Sequence, residues 1–182
     1  MAADIYNIDQ WLNGTTYSVN DIVWYKIADL NGVQRRYYWY ATVDHTASSA
    51  PSLTNAQWAG MKYDQRTNKN KPTFTWRPSY NFSVTSKPNV SVIKFGHGYE
   101  QRLVDGIDSD LLEADVNFET RDQKEARAIA HFFHIRRAKE SFVMQLPPPY
   151  NIDKLYVARE WSTTFNFYNN YSIRARVSEV TQ

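Results

Sequence analysis

The chain has 182 residues, with 21 basic and 19 acidic side chains and a net charge of +2. That balance gives no electrostatic footing for binding nucleic acid or an anionic membrane. The absence of cysteine excludes a disulfide scaffold, a thiolate zinc site and a cysteine nucleophile.

No apolar run approaches the roughly 20 residues of a membrane span. The first residues, Met1-Ala2-Ala3-Asp4, have neither a basic nor an apolar signal-peptide region and are not expected to act as one. Aromatic residues make up 15% of the chain. Because aromatic and β-branched side chains favour strands, the composition predicts a mainly-β protein.

The first predicted unit covers residues 1–60 and is dense in rings: Trp11, Tyr17, Trp24, Tyr25, Tyr37, Tyr38, Trp39, Tyr40 and Trp58. Asn13-Gly14 and Asn31-Gly32 mark turns. Ile22 to Tyr25 and Tyr37 to Val43 read as two strands joined through the second turn. A unit of about 55 residues is marginal for independent folding, and large buried rings would stabilise it by roughly 2–3 kcal/mol each. Most of these rings are expected in a small core. Alternation places Trp24 opposite Val23 and Tyr25, and Trp39 opposite Tyr38 and Tyr40. Trp24, Trp39 and Tyr40 are the candidate glycan-facing aromatics.

Residues 61–72 are polar, lack apolar periodicity and end in Pro72. They read as a linker, or alternatively as a long surface loop within one domain. As a flexible coil of about 12 residues they would span roughly 20 Å.

The second predicted unit covers residues 73–182. Tyr80 to Val84 alternates as a strand, and Lys87-Pro88-Asn89 breaks it. Ser91 to Phe95 forms another strand and leads into Gly96-His97-Gly98, then Tyr99 to Arg102 and a second turn at Asp105-Gly106. Two glycines around one residue are turn chemistry. Leu112 to Phe118 alternates with Ala114, Val116 and Phe118 on one face. Thr120 and Gln123 fit the N-cap and third position of a capping box before a helix. That helix carries two apolar stripes. Ala126, Ile129, Ala130 and Phe133 form one; Ala128, Phe132 and Ile135 form the other. The second stripe either meets a partner subunit or is covered within the same fold. The helix is predicted to end near Arg136-Arg137-Ala138. Ser141 to Met144, Leu155 to Ala158, Trp161 to Phe167 and Tyr171 to Ser178 are further strand candidates, with a turn at Asn169-Asn170.

Little here points to catalysis. Gly96-His97-Gly98 has neither the third glycine of a dinucleotide fingerprint nor a P-loop Gly-Lys-Ser/Thr. His131 and His134 stand at i, i+3 without a matching carboxylate, so no metal or other cofactor is expected. Asp105, Asp108, Asp110, Glu113 and Asp115 could in principle supply a hydrolytic carboxylate pair, but their places in turns and on a polar strand face read as a solvated surface.

Two family resemblances follow from these residues. Trp11, Gly14, Tyr17, Asp21, Val23, Tyr25, Tyr38, His45-Thr46, Pro51 and Trp58 follow the spacing of the family 5/12 carbohydrate-binding module, which residues 5–60 resemble. The resemblance implies a small three-stranded β-fold. Sugar-binding members carry a tryptophan pair after the aromatic strand, where this chain has Val43-Asp44. The scaffold is therefore expected without that sugar platform.

Residues 74–182 resemble the minor tail protein M family of lambda-type siphophages. Phe74-Thr75-Trp76, the run Phe95-Gly96-His97-Gly98-Tyr99-Glu100-Gln101-Arg102, Asp105 to Asp108, the helix, Ser141-Phe142 with the following prolines, and Glu160-Trp161-Ser162 carry the resemblance in order. His97 replaces a usual aspartate, and Arg136-Arg137 stand where glycines often close the helix. The resemblance implies a tail-tube-like β-sandwich with one packed helix and no catalytic role. It also implies a hexameric ring between the tail tube protein and the baseplate hub, in contact with other tail-tip proteins. The protein would be made in the host cytoplasm and end at the virion tail tip, with residues 1–60 as an outward decoration. Tyr99, Arg102, Phe132 and Ile135 are then candidate subunit-interface residues. Two other readings compete: a carbohydrate-binding host-surface protein mounted on the tail, and a small glycan hydrolase with an appended binding module.

Overall fold

The computed structural model describes residues 6–28, 31–61, 71–86, 88, 90–104 and 110–181. The Asp105-Gly106 turn, most of the 61–72 segment, and Lys87 and Asn89 lie outside the described residues.

Fourteen strands and one α-helix are assigned among the described residues. The protein is mainly β with a single helix, as composition and patterning predict. The first strands are β1 (Asp9–Gln10), β2 (Thr16–Tyr17), β3 (Ile22–Ala28), β4 (Gln34–Ala41), β5 (His45–Thr46) and β6 (Trp58–Gly60). β3 and β4 pair antiparallel, with Val23 opposite Trp39 and Trp24 opposite Tyr38. Gly32 sits at φ +77°, in the left-handed region that glycine reaches without strain. β6 joins the far side of β4, and the short β1 adds a fourth, parallel strand beside β3. β2 and β5 form a separate two-stranded ladder. Tyr17, Val23, Tyr37, Trp39, Ala41, Ala47 and Trp58 make a small core on one face of this sheet.

The next strands are β7 (Thr73–Phe74), β8 (Ser83–Ser86), β9 (Val90–Lys94), β10 (Glu100–Val104) and β11 (Leu112–Arg121). The helix α1 (Gln123–Arg136) follows, then β12 (Phe142–Gln145), β13 (Asp153–Phe167) and β14 (Asn170–Glu179). Six of these strands form the main sheet, in the order β7-β12-β13-β14-β11-β8. Its inner face follows the alternation: Ala114, Val116 and Phe118 from β11, and Ile173, Ala175 and Val177 from β14, are all buried. Among the described residues β9 and β10 pair only with each other.

β13 is one long strand where two shorter candidates stand in the sequence. Its register shifts between Ala158 and Glu160. A bulge inserts a residue, bends the strand and breaks the period-2 pattern, so a single strand reads as two.

The helix begins two residues later than its sequence pattern suggests. Thr120 lies in β11 at φ +55°, where the register against β14 shifts. The N-cap is Asp122, whose carboxylate accepts the Glu125 N–H at 2.8 Å. Asp122-x-x-Glu125 is also a capping pattern, and pairing of Arg121 with Tyr171 holds the chain extended until that point. At the other end Arg137 closes the helix in the left-handed conformation, φ 49° and ψ 37°, in the role usually given to glycine.

Candidate assembly surfaces

The helix lies against β13 and β14 through one face. Phe133 packs on Phe74, Phe142 and Trp161, with Phe74 stacked 5.3 Å away at 12°. Its other face is covered by the N-terminal sheet. His131 lies between Tyr6 and Tyr38, at centroid distances of 5.1 and 4.8 Å. Tyr40 packs on Trp76, with ring centroids 4.7 Å apart and planes tilted by 35°, and its hydroxyl bonds Thr75 Oγ1 at 2.8 Å. Tyr40 and Met61 thus belong to the same continuous core as Phe74, Phe118, Phe132 and Phe142.

Arg136 ties this junction together. It is 2% exposed and donates to the carbonyls of Phe132, at 2.7 Å, and of Met61. Its guanidinium lies 3.4 Å from the Phe132 ring centroid, a desolvated cation–π contact. Burial lowers its pKa to about 9, against the raising influence of Glu140 and Tyr40. Burial raises the Tyr40 phenol, opposed by the Thr75 hydrogen bond and by Arg136.

These contacts correct three of the sequence-predicted site residues. Trp39 and Tyr40 are buried, Trp39 in the small core and Tyr40 against Trp76, so neither offers a ring to a sugar. Phe132 is 0% exposed and enclosed by Phe74, Trp76, Phe142 and Arg136, so it is no subunit-interface residue. Alternation showed which residues share a face; it could not show that a second layer of the same chain covers that face. Ile135 is half-buried against the same core. Trp24 is half-exposed, with the Arg36 guanidinium 4.2 Å over its ring. Tyr99 and Arg102 are exposed, as a surface role requires.

Tyr99 and Arg102 belong to a projecting arm made by β9, β10 and the turn between them. His97 and Gly98 take φ 65° and 81°, and the Phe95 N–H closes the turn on the Tyr99 carbonyl at 2.7 Å. The register places Ile93 opposite Gln101, and Ser91 opposite Leu103. One face of the arm therefore carries Ser91, Ile93, Phe95, Tyr99, Gln101 and Leu103, with Ile93, Phe95, Tyr99 and Leu103 exposed. The other carries Val90, Val92, Lys94, Glu100 and Arg102, with Val92 opposite Arg102 and Glu100 and Arg102 in an ion pair.

A second exposed aromatic group occupies the β13–β14 tip, where Phe165, Phe167 and Tyr168 stand out into solvent. Phe165 and Tyr171, 5.3 Å apart, wall a cleft of about 400 Å³ beside the start of the helix. These tip aromatics were not singled out from the sequence. Their signal is legible in retrospect: three aromatic residues immediately precede and adjoin a predicted Asn-Asn turn, where a chain reversal cannot bury them all.

The outer face of the main sheet is polar. Arg176 bonds Asp115 at 2.9 Å and approaches Glu160 at 3.8 Å, while Arg174 donates to Asn117 at 3.1 Å. A shallow depression of about 600 Å³ crosses this face. Asp115, one of the candidate hydrolytic carboxylates, is thus engaged in a surface ion pair; Asp105 and Asp108 lie outside the described residues. Among the described residues no group of three or more histidine or acidic side chains is arranged to hold a metal ion. The His131–His134 spacing instead receives Tyr6, which packs on both rings.

A main sheet with a polar outer face, one helix on its inner face and exposed apolar surfaces at its arm and its tip defines a β-rich protein whose distinguishing features are surfaces. The sequence profile described as phage minor tail protein matches residues 72–181, and the chain belongs to that family. Over 92 residues it is 29% identical to tail tip protein M of Escherichia phage lambda, an alignment covering 50% of this chain and 82% of that protein. The family match includes the arm, the helix and every strand of the main sheet.

Proposed function

We infer that this protein is a structural, non-enzymatic component of a long-tailed phage tail tip, assembling as a six-membered ring between the tail tube and the baseplate hub. Residues 1–60 form an outward decoration on that ring. The observation that carries this reading is the likeness to tail tip protein M across 82% of that protein's length. The exposed arm and tip support it, because a ring needs two different patches that match each other on neighbouring copies. The decisive measurement is native mass, alone and with tube and hub proteins. A hexamer is expected, and immunogold labelling of intact virions is expected at the tail tip. A chain that stays monomeric in every mixture, or labels elsewhere on the virion, overturns the reading.

A second reading, glycan binding by the carbohydrate-binding-module-like N-terminal unit, rests on Trp24, the one candidate ring that remains half-exposed. Arg36 already occupies a face of that ring, which narrows the stacking surface. Binding on a glycan array that disappears with Trp24→Ala would favour this role. Binding that persists in Trp24→Ala would place it elsewhere.

A further inference from the structure

The N-terminal sheet and the main sheet share no strand, and no ladder crosses between them among the described residues. The N-terminal unit also has its own small core, built on Tyr17, Val23, Trp39 and Trp58. Side-chain contacts join the two parts. In each of them one partner belongs to residues 6–61 and the other to the family-matched segment that starts at residue 72.

The centre of this seam is desolvated. Tyr40 packs on Trp76 and meets Thr75 Oγ1, while Arg136 sits on Phe132 and donates to the Met61 carbonyl. The indole N–H of Trp76, on a buried ring, donates to Asn20 Oδ1 at 2.9 Å. The rim is charged and open to water. Lys124, 53% exposed, pairs with Asp21 at 2.9 Å, and the exposed Arg127 donates to the Tyr6 and Asn7 carbonyls. Aromatic and arginine anchors inside a polar rim are the anatomy of an interface between two proteins. The lambda relative supports the same division. The 92 aligned residues make up 82% of tail tip protein M but 50% of this chain, so that protein has no length left for a counterpart of residues 1–60.

We propose that the face of the main domain around Trp76, Lys124 and Arg136 is a protein-binding surface whose partner is the N-terminal unit of the same chain. That surface, and not the covalent connection between the two parts, holds the unit in place. A connection supplies only effective concentration. Orientation comes from the buried hydrogen bonds of Trp76 and Arg136, each of which has a single geometry. Residues 6–61 therefore take one fixed pose on the main domain. The inference concerns the single chain and does not depend on the ring reading.

Cutting the connection tests this. A flexible insert carrying a protease site is placed between Thr67 and Asn68 of the full chain, and the protein is cleaved under native conditions. The two pieces are expected to elute together as a 1:1 pair with the circular dichroism of the uncut chain, to part on dilution and to pair again on concentration. Asn20→Gly accepts the local φ of +67° but leaves the Trp76 indole N–H without its acceptor; it should weaken the cleaved pair about tenfold. Arg136→Met should weaken it by about as much or more, whereas Lys124→Ala at the rim should change it by less than about threefold. Pieces that separate at every concentration while each stays folded overturn the proposal, because the connection then holds the unit. Loss of structure on cleavage overturns it too, because the chain is then one inseparable fold. A cleaved pair indifferent to both Asn20→Gly and Arg136→Met overturns the named contacts.

Discussion

Replacing Phe132 by alanine separates two accounts of the helix. Its ring is 0% exposed, enclosed by Phe74, Trp76 and Phe142 and capped by Arg136 at 3.4 Å. Phe→Ala at such a position costs about 3–5 kcal/mol, the transfer of the lost ring plus the cavity it leaves. For a chain of this length a loss of about 4 kcal/mol lowers Tm by roughly 8–16 °C. Part of the loss belongs to the contact with Arg136. A cycle with Arg136→Met and the double variant should return a coupling of about 1–2 kcal/mol. Urea unfolding of dilute protein, followed by tryptophan fluorescence, measures each term, and the loss should not depend on protein concentration. A loss below about 1 kcal/mol with assembly abolished would refute the reasoning, because that pattern belongs to a ring facing another subunit.

Three further outcomes follow from local geometry and burial. Arg137→Gly should stabilise the protein by roughly 0.5–1 kcal/mol, since glycine takes the left-handed position without the side-chain clash and loses only part of that gain to chain entropy. A lower Tm would show that the Arg137 side chain makes a compensating contact. Asp122→Ala should cost about 1 kcal/mol by removing the cap on Glu125 N–H, while Thr120→Ala stays within about 0.5 kcal/mol; the reverse order in urea unfolding would restore Thr120 as the cap. Burial, and then the charge of Glu179, push the Tyr156 phenol from 10.0 up to about 12. A raised folded pKa gives a contribution that is whole below pH 10 and is lost as pH climbs through about 12. Arg136, lowered to about 9, acts in the opposite sense above that pH. The difference between the parent chain and Tyr156→Phe isolates the tyrosine: the gap between their stabilities should shift in favour of the phenylalanine variant between pH 10 and 12, and a constant gap would refute the assignment.

Much of the fold was legible because its signals are local. The alternation in β11 and β14 and the glycines at 32 and 98 depend only on neighbouring residues. The helix was legible, but its start was displaced because two capping patterns overlap and a long-range strand pairing decides between them. The surfaces were harder. Alternation correctly set Trp24 opposite Val23 and Tyr25, and Trp39 opposite Tyr38 and Tyr40, yet the sheet is covered on both sides, by the small core on one and by the helix layer on the other. The Met61–Arg136 bond joins residues 75 positions apart and has no local signature. Tyr99 and Arg102 were found from a motif and are exposed. Phe165 and Phe167 read from sequence as part of a strand candidate and Tyr168 carries no assignment, because sequence alone does not say where a hairpin outruns its sheet.

The buried junction also constrains how the protein can assemble. A helix with two apolar stripes could have used one of them to hold a partner, at the cost of leaving a large apolar face open until the partner arrived. Here the N-terminal sheet covers that face, and Tyr40, Met61 and Arg136 join it to the main-sheet core. A patch that is already fully buried gains nothing further from association, because the driving force scales with apolar surface removed from water. Assembly must therefore draw on surface that remains exposed in the single chain. The polar outer face, with Arg176 and Asp115 satisfying each other, offers mostly solvent-screened ion pairs of small net value. The arm and the tip offer exposed rings instead. On this account the helix makes the single chain stable and the exposed rings make it associate. Mutations that abolish assembly while leaving the unfolding midpoint unchanged should then fall at residues such as Phe95, Tyr99 and Phe165, and not along the helix.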